Sequence, residues 1–364
     1  MKRILQVTGS LNRNGTETFM MNLYRHINRQ RFSFDFLLYT PTDNGYEQEA
    51  RELGAKIYYF SPRNENWKKH ISSLRFFFKE HQGEYDAIHF NGNSFSGIMP
   101  LRIAKEFGVP IRIIHSHNSS TKGFHNKILH KLNRRYIHTA ATHFLACSEE
   151  ARKWGFKGSK VYQQSIVIPN GIDLLQYQFN QAARADIRKE LGISPNTLLF
   201  GSTAGFRAVK NQQFTFEVFE KIKMIHPDSA LCLCGSGETR TEIENLVKSK
   251  HLSESVHFMG IRTDVHKILN ALDVYIFPSF YEGLPFALIE AQASGLPILA
   301  SDSISPEIKL TPSLRFMSLD SSAEIWAKEA LNLTRQKRLT EIHKGLCPYD
   351  IKTTCRILEE IYDG

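Results

Sequence analysis

The sequence predicts an α/β protein with two domains. Short apolar runs alternate with amphipathic stretches along all 364 residues, which is the pattern of mostly parallel sheets covered by helices. The length suits two domains, each able to bury its own core. A polar stretch over residues 176–184 separates two α/β series of similar size. We therefore expect two Rossmann-like domains that face one another across a cleft.

Each domain is predicted from its own series of elements. In the first, strands are expected over 4–7, 34–39, 56–60, 87–90, 111–115, 144–147 and 166–168, with helices over 18–27, 67–79 and 127–138. In the second, strands are expected over 198–201, 230–234, 256–258, 274–277 and 298–300, with helices over 185–191, 212–225, 238–250, 265–271 and 286–294. The predicted domains are 1–170 and 171–347, followed by an amphipathic helix within 348–364.

Composition and charge narrow the class of protein. The chain has 46 Lys and Arg against 37 Asp and Glu, a net charge of +9, and its hydrophobic fraction of 41% is that of a globular protein. No stretch approaches the ~18 unbroken apolar residues of a membrane span. The five cysteines lack the spacing of a zinc or redox site. We expect buried thiols in a reducing cytoplasm.

Two motifs contain groups suited to anions. Gly15 opens the helix after the first strand, where free backbone N–H groups and the helix dipole favour an anion, although such a loop is more often a simple turn. Arg207 and Lys210 follow the first strand of the second domain. They could grip a diphosphate or could equally belong to a solvated helix start. The Gly235-Ser-Gly237 stretch lacks the third glycine of a dinucleotide fingerprint, and no phosphate loop of the Gly-x4-Gly-Lys type is present.

Residues 278–297 are the most informative part of the chain. Glu282 follows a buried strand, and Glu290 lies on a helix predicted to begin near Phe286. A carboxylate accepts hydrogen bonds from two hydroxyl groups, such as those of a ribose diol. The alternative is that both are surface glutamates. This alternative fits Glu290 poorly, because its neighbours Leu288, Ile289 and Ala291 must pack on the sheet.

These motifs together resemble the retaining nucleotide-sugar glycosyltransferases of family 4, which have the GT-B fold. Glu282 and Glu290 stand at the spacing of the family's Glu-x7-Glu signature, and residues 167–173 resemble its domain-junction motif. Residues 206–210 resemble its diphosphate-binding variant with Arg and Lys, and residues 14–17 resemble its Gly-Gly-x-Glu loop with Asn14 replacing the first glycine. The resemblance covers nearly the whole chain and implies a C-terminal helix that crosses back to the first domain.

The resemblance implies a role for each matching residue. Arg207 and Lys210 would neutralise the departing nucleoside diphosphate, helped by Gly15 and by the backbone of Phe286 and Ala287. Glu290 would bind the ribose, and Gly260 and Arg262 the nucleobase. The donor sugar would be held by Glu282, Gly283, Leu284 and a histidine of the 115–117 segment, with His117 preferred over His115. The residues implied in catalysis are Glu282, His117, Arg207 and Lys210.

The same resemblance implies the mechanism and the cofactor requirement. No Asp-x-Asp pair, the usual diphosphate–metal ligand set, occurs in the sequence. We therefore expect no metal and no cofactor, with the two cations in the metal's place. No side chain stands out as a general base, which fits front-face attack in which the leaving diphosphate accepts the acceptor's proton. Orientation, charge stabilisation and exclusion of water would then be the work of the protein.

The segment 122–138 combines an apolar stripe with positive charge. Phe124, Ile128, Leu132 and Tyr136 recur every four residues, and the cations beside them are Lys127, Lys131, Arg134 and Arg135, with His138. No acid occurs between Glu106 and Glu149. An ordinary helix packed on the sheet and a surface for anionic lipid are equally good interpretations. Nucleic acid is not expected, because no aromatic-interleaved RNA motif or zinc finger accompanies the charge.

The expected function is transfer of a sugar from a nucleotide donor, with UDP favoured, to a saccharide or lipid-linked acceptor in capsule or exopolysaccharide synthesis. The expected location is the cytoplasm, at the inner face of the cell membrane. A nucleotide-sugar 2-epimerase of the same fold is one alternative, although its extra acid–base residues cannot be identified in the sequence. A catalytically silent GT-B binding protein is the other, and the intact set of Arg207, Lys210, Glu282 and Glu290 argues against it.

Overall fold

The computed structural model describes residues 1–43, 45–61, 66–118, 121, 123–282 and 284–364. The chain divides into two compact units. The first contains Met1–Ile172 together with Pro348–Gly364, and the second contains Asp173–Cys347. The first unit therefore ends two residues beyond the predicted position. The reason is local, because a Cβ on Gly171 would lie 2.6 Å from the Thr354 hydroxyl oxygen, and this junction packs on the C-terminal segment.

A seven-stranded sheet forms the centre of the first unit. Its order is β3-β2-β1-β4-β5-β6-β7, and all the pairings are parallel. The strands are β1 (Lys2–Val7), β2 (Phe32–Leu38), β3 (Ile57–Tyr59), β4 (Ala87–Gly92), β5 (Ile111–Ser116), β6 (His143–Ala146) and β7 (Ile166–Val167). The central strands carry near-continuous apolar runs because helices cover both faces of a parallel sheet.

In the described part of the first unit, six α-helices precede the last strand. They are α1 (Gly15–His26), α2 (Glu47–Glu52), α3 (Trp67–Glu80), α4 (Met99–Glu106), α5 (Phe124–Tyr136) and α6 (Glu149–Phe156). Several begin at a side-chain cap. The Asn66 side chain accepts from the Lys69 N–H at the start of α3, and Ser148 does the same for Ala151 at the start of α6. Such caps satisfy N–H groups that the helix leaves free.

A six-stranded parallel sheet forms the centre of the second unit, in the order β10-β9-β8-β11-β12-β13. Its strands are β8 (Leu198–Ser202), β9 (Ser229–Cys234), β10 (Val256–Gly260), β11 (Val274–Phe277), β12 (Ile298–Ser301) and β13 (Leu314–Met317). The α-helices are α7 (Leu174–Tyr177), α8 (Gln181–Glu190), α9 (Gln212–Ile225), α10 (Arg240–Ser249), α11 (Val265–Ala271), α12 (Phe286–Ala293) and α13 (Ala323–Leu333). Trp326 of α13 is fully buried in this core.

The last helix, α14 (Ile351–Asp363), belongs to the first unit. The Asp350 side chain caps it, and the Ile351 N–H donates to the Ile172 carbonyl at 2.9 Å. Tyr362 is fully buried, with its ring centre 5.9 Å from that of Phe32. The fold class is thus confirmed: two Rossmann-like parallel-sheet units, with the terminal helix returning to the first.

Besides the unit boundary and the helices α2, α4, α6 and α7, which were not among the predicted elements, two features differ from the expectation. Strand β13 was not predicted, because only Leu314 of its four residues is buried and Arg315 is exposed. Not all thiols are buried, because Cys347 is exposed within the 3-10 segment Lys344–Tyr349, while the other four cysteines are buried.

Candidate functional site

The candidate site of the second unit lies where the order of its strands reverses. β9 pairs with one edge of β8, and β11 pairs with the other edge. The loops after β8 and β11 therefore leave in opposite directions and open a crevice at the carboxyl ends of these strands, the usual ligand position in open α/β sheets. Arg207 and Lys210 follow β8, and Glu282 follows β11.

Lys210 and Glu282 form an ion pair at this position. Their side chains are only 10% and 17% exposed. Burial lowers the pKa of Lys210, and the Glu282 carboxylate opposes that lowering. The Lys210 ammonium also lies 5.3 Å from the centre of the Phe277 ring. Because a buried charge is costly without a partner, the pair keeps one cation and one anion side by side in the crevice.

Backbone bonds hold the two loops that supply this pair. Lys210 ends a 3-10 turn over Ala208–Lys210, and Asn211 then adopts a left-handed conformation with φ of 53° before α9 begins. The Phe280 N–H donates to the Val209 carbonyl at 2.9 Å, which joins the loop after β11 to this turn. The Ser305 N–H donates to the Glu282 carbonyl at 3.3 Å. Backbone hydrogen bonds therefore hold the two loops that carry the charged pair.

Arg207 stands beside the pair but remains exposed. Its side chain makes no hydrogen bond or ion pair with the residues that the structure describes. Its positive charge is near enough to lower the pKa of Lys210. The structure therefore brings Arg207, Lys210 and Glu282 together, as the sequence predicted, with Arg207 available to a ligand.

The glycines after β9 shape the wall of the crevice. Gly237 has a φ of +151°, and a Cβ there would lie 2.2 Å from the Phe206 carbonyl oxygen. Gly235 has a φ of +139°, and its Cβ would lie 3.1 Å from the Ala204 carbonyl oxygen. Side chains are excluded at both positions. The Gly235-Ser-Gly237 stretch thus lets the loop after β9 approach the loop that carries Arg207.

Glu290 lies on α12, the helix after Glu282. The Tyr177 hydroxyl of α7 donates to its Oε1 at 2.9 Å. Burial raises the pKa of Glu290 to about 7, against the lowering effect of the Tyr177 hydrogen bond. The alternative of a surface glutamate is therefore wrong: Glu290 is a half-buried, desolvated carboxyl with one hydroxyl partner.

The other predicted donor contacts lie around the start of α12. Phe286 and Ala287 are its first two residues, where N–H groups lack acceptors within a helix. Leu284 just before them is half-buried. Gly283, also predicted to contact the sugar, lies outside the described residues.

Of the two residues predicted at the nucleobase, Gly260 is the last residue of β10 and Arg262 follows that strand. The Gly260 carbonyl accepts from the Gly235 N–H at 2.8 Å, which ties the ends of β9 and β10. The Arg262 guanidinium pairs with Glu190 at 2.6 Å and with Asp264 at 2.8 Å. Both hydrogen bonds raise the pKa of Arg262. The Arg262 side chain and the Gly260 carbonyl are thus both bonded within the second unit.

The remaining predicted residues belong to the first unit. Gly15 is exposed at the start of α1, at the carboxyl end of β1, where that sheet also reverses its order. His117 directly follows β5, and its Nε2 lies 3.0 Å from Asn91 Oδ1. Burial lowers the pKa of His117 to about 3, so the ring is neutral. His115 is fully buried, and its ring centre lies 4.0 Å from that of His117.

Sequence reasoning missed partners that come from distant parts of the chain. Tyr177 lies in a stretch interpreted as a linker, yet it contacts Glu290. Asn91, at the end of β4, contacts His117. A tyrosine in a polar segment and an asparagine at the carboxyl end of a central strand were the available signals. Neither identifies its partner without the tertiary fold.

Helix α5 is oriented with its apolar stripe outward. Phe124, Ile128, Leu132 and Tyr136 are between 43% and 80% exposed. The exposed cations next to this stripe are Lys127, Lys131 and Arg135. The interpretation of an ordinary helix that packs its apolar face on the sheet is therefore wrong.

Polar side chains attach the opposite face of α5 to the first unit. The buried His130 accepts from the Phe95 N–H at 3.1 Å through Nδ1, and its Nε2–H donates to the Trp154 carbonyl at 3.1 Å. Asn133 donates to the Phe95 carbonyl at 2.7 Å. Arg134, predicted to flank the stripe, is half-buried and donates to the Trp154 carbonyl at 3.3 Å. Hydrogen bonding rather than apolar burial thus fixes the helix.

The described residues contain no group of three or more His, Cys, Asp or Glu side chains arranged to hold a metal ion. None of the described helices has the length and apolar character needed to cross a bilayer.

Each of the two units matches a family model of glycosyltransferases. The model described as "Glycosyltransferase Family 4" matches residues 13–175, and "Glycosyl transferases group 1" matches residues 183–309. The putative glycosyltransferase EpsF of Bacillus subtilis is 35% identical over 333 residues, which cover 90% of this chain and 86% of that protein.

Relatives and solved structures with lower identity have names that state a substrate, a pathway or a bound ligand. The UDP-Gal:alpha-D-GlcNAc-diphosphoundecaprenol alpha-1,3-galactosyltransferase of Escherichia coli is 29% identical, over 66% of this chain and 64% of its own. The capsular polysaccharide biosynthesis glycosyltransferase CapH of Staphylococcus aureus is 23% identical, over 100% of this chain and 99% of its own. The crystal structure of Anabaena HepE in complex with UDP-glucose has a TM-score of 0.79 at 16% identity, with complete coverage of both chains.

The raised pKa of Glu290 makes a testable contribution to stability. In the folded chain its carboxyl keeps the proton up to about pH 7, whereas its ordinary pKa is 4.5. The folded state binds more protons between these values, so this stability is present below pH 4.5 and is lost as pH rises through 7. In Glu290→Gln, which is neutral throughout, the loss between pH 5 and pH 8 should be smaller than in the wild type, as measured by urea unfolding. Exposed Glu324→Gln is the control, and an equal loss in Glu290→Gln and the wild type contradicts the assignment.

Proposed function

We propose that this chain, which belongs to glycosyltransferase family 4, transfers a sugar with retention from a UDP-sugar to a saccharide on a lipid-linked carrier. The observation that carries the proposal is the Lys210–Glu282 pair at the strand-order reversal of the second unit. A cation there suits a diphosphate, and the adjacent carboxylate suits the hydroxyls of a sugar. UDP and a lipid diphosphate acceptor both occur in the name of the Escherichia coli relative.

Lys210 and Arg207 would bind the donor's diphosphate. Lys210 offers a fixed charge on rigid main chain, and Arg207 offers an exposed guanidinium with no partner among the described residues. Charge on the diphosphate grows as it leaves, so preorganised cations stabilise the transition state more than the ground state. The N–H groups of Phe286 and Ala287 would face the same anion, because the start of a helix favours negative charge.

Glu290 would accept hydrogen bonds from the ribose hydroxyls, oriented by the Tyr177 hydroxyl on its Oε1. Gly260, the last residue of β10, and Arg262 just after it would contact the nucleobase. Glu282, with Leu284 and Gly283 beside it, would hold hydroxyls of the donor sugar, and His117 of the first unit would contact that sugar as well. Gly15 would approach the diphosphate.

The proposed chemistry needs no protein base. The bond between the anomeric carbon and the diphosphate oxygen breaks while the acceptor oxygen bonds to that carbon on the same face. The acceptor's proton passes to the departing diphosphate oxygen. Lys210 and Arg207 take the place that a divalent ion has in other transferases, and this supports a metal-independent reaction without a cofactor.

Helix α5 supports a membrane-bound acceptor. Its outward stripe of four large apolar residues beside Lys127, Lys131 and Arg135 matches a surface that lies in the headgroup region of an anionic bilayer. Residues 1–170 contain 25 Lys and Arg against 13 Asp and Glu, an excess of positive charge that is complementary to such lipid. We propose that α5 brings the enzyme to the cytoplasmic face of the cell membrane, where a lipid-linked polysaccharide intermediate is available.

The alternatives are less well supported. The relatives are named as glycosyltransferases and do not favour a nucleotide-sugar 2-epimerase. The same names do not favour a catalytically silent binding protein.

The ribose assignment predicts a loss of nucleotide affinity in Glu290→Ala. At about pH 8, above the Glu290 pKa of about 7, the carboxyl is ionised. A hydrogen bond to a charged group contributes ~1.5–3 kcal/mol, so the Kd for UDP should rise about 10- to 100-fold at that pH. Isothermal titration calorimetry measures it, with exposed Glu324→Ala as the matched control. An unchanged Kd in Glu290→Ala removes this residue from the nucleotide site.

The sugar assignment predicts a different effect for Glu282→Gln. Turnover should fall on the order of 10²-fold, because an oriented charged group near the reacting carbon is lost. The Kd for UDP should not rise, since the variant frees Lys210 from its counter-charge. Transfer to acceptor, with donor hydrolysis measured in parallel, gives the turnover. Wild-type kinetics would exclude Glu282 from the reaction, and loss of UDP binding alone would assign it to the nucleotide.

The membrane assignment is tested with vesicles. Reversing Lys127, Lys131 and Arg135 to Glu should weaken binding to phosphatidylglycerol vesicles on the order of 10²-fold, since each cation near the surface contributes ~1 kcal/mol. Arg134 is left intact because it contacts the Trp154 carbonyl. The control reverses Lys68, Lys69 and Lys79, exposed cations of α3 in the same unit. Equal binding of the two triple variants contradicts the role of α5, and so does equal wild-type binding to pure phosphatidylcholine.

A further inference from the structure

An open hollow lies on the surface of the first unit, between α5 and α6. It has a volume of about 470 Å³ and is lined by Arg134 of α5, by Glu150, Lys153 and Trp154 of α6, and by Lys157 just after α6. Three of these five side chains are cationic. The hollow between α5 and α6 is therefore a candidate site for an anion.

Two of the three cations have no counter-charge. Lys153 pairs with Glu150 at 2.9 Å, so these two charges cancel. Lys157 is exposed, and its side chain makes no hydrogen bond or ion pair with the residues that the structure describes. The Arg134 guanidinium donates to the Trp154 carbonyl at 3.3 Å and has no carboxylate partner in the described part of the chain. Arg134 and Lys157 thus keep two positive charges available to a ligand.

The aromatic wall of the hollow fixes the position of Arg134. Trp154 stacks on the buried His130, with ring centres 4.1 Å apart and an angle of 17° between the ring planes. The backbone carbonyl of Trp154 accepts from His130 Nε2–H at 3.1 Å and from Arg134 at 3.3 Å. A guanidinium that is already held in place loses less conformational freedom when it binds a ligand.

The hollow lies beside the outward face of α5. Lys127, Lys131 and Arg134 are three, four or seven residues apart, so they share one side of the helix. Lys127 and Lys131 are exposed next to the apolar stripe, whereas Arg134 is half-buried where α5 meets α6. The hollow is therefore on the flank of the surface that we assign to the headgroup region. Acyl chains would meet the stripe, and a headgroup would meet the flank.

The number of free charges selects one kind of phosphate. A phosphate monoester carries a charge of about −1.5 to −2 at pH 7 and has three strong acceptor oxygens. Two of these oxygens can meet the planar fork of Arg134, and the third can meet the ammonium of Lys157. A phosphate diester has a single charge and two free oxygens, so it leaves one of these cations without a partner. The hollow thus fits a monoester better than a diester.

We propose that the hollow between α5 and α6 binds the terminal phosphate of a membrane lipid, with Arg134 and Lys157 as the contacts. This inference rests on the proposed function, because it places the ligand beside the membrane-facing surface of α5. It adds a preference for phosphate monoesters over other anionic lipids. Both contacts lie near the C-terminal ends of their helices. In a parallel α/β unit those ends are opposite the carboxyl ends of the strands, so this lipid anchors the enzyme and does not react.

The lipid preference is tested at about pH 8, where the monoester is close to doubly charged. Phosphatidylcholine vesicles contain either phosphatidic acid or phosphatidylglycerol, mixed to equal zeta potential. The wild type should bind the phosphatidic acid vesicles about tenfold more tightly, the effect of one further charge-assisted hydrogen bond. Lys157→Ala should abolish this preference. The matched control is Lys160→Ala, which removes another exposed cation outside the lining of the hollow and should keep the preference.

A second variant separates charge from geometry. Arg134→Lys keeps the positive charge but loses the planar fork. The preference for phosphatidic acid should fall about threefold or more, whereas binding to phosphatidylglycerol vesicles should not change. Circular dichroism confirms that this variant is folded.

A soluble source of the phosphate is tested with glycerol 3-phosphate and inorganic phosphate in the absence of vesicles. The readout is the fluorescence of Trp154, identified as the signal that Trp154→Phe lacks. Half-saturation should need concentrations on the order of millimolar or higher, because no apolar burial in a bilayer adds to the affinity.

The possible failures are distinguishable. Equal binding of the wild type to both kinds of vesicle, or a preference that survives in Lys157→Ala, overturns this inference and leaves the proposed function standing. Micromolar binding of either soluble phosphate assigns the hollow to a soluble ligand and overturns the lipid assignment. If the wild type binds neither kind of vesicle, the membrane part of the proposed function itself fails.

Discussion

The need to pair a buried charge governs the second unit. Lys210 lies on a tight turn after β8, and its ammonium is tolerated there because Glu282, from the loop after β11, supplies the opposite charge. Backbone bonds tie the two loops, and glycines without room for a side chain let the loop after β9 approach. An ion pair held this rigidly at the carboxyl ends of parallel strands suits a ligand that carries both a diphosphate and hydroxyl groups.

The first unit differs in that its buried polar groups are neutral. Its histidines at the end of β5 are desolvated and uncharged, and their orientation depends on amide and hydroxyl partners from β1, β4 and α14. On its outer surface, α5 keeps polar residues inward and apolar residues outward. The two units therefore differ in their polar groups, with a charged pair in the crevice of the second and neutral rings at the end of β5 in the first.

Much of this could be predicted from sequence, and the exceptions have physical causes. Alternating apolar runs predicted both sheets, except β13, whose single buried residue gives no pattern. The residues at the carboxyl ends of β8 and β11 were identified because strand ends and ligand chemistry coincide there. Periodicity gave the apolar stripe of α5 but not the side it faces, which His130 and Asn133 decide through hydrogen bonds. Tyr177 and Tyr362 act through partners more than 100 residues away in the chain, which local patterns do not reveal.

A crystal structure of the chain with UDP bound tests the central claim most directly. The account predicts diphosphate oxygens within hydrogen-bond distance of Lys210 Nζ and the Arg207 guanidinium, with the ribose hydroxyls on the Glu290 carboxylate. Nucleotide bound elsewhere, with Lys210 in contact with Glu282 alone, would contradict it.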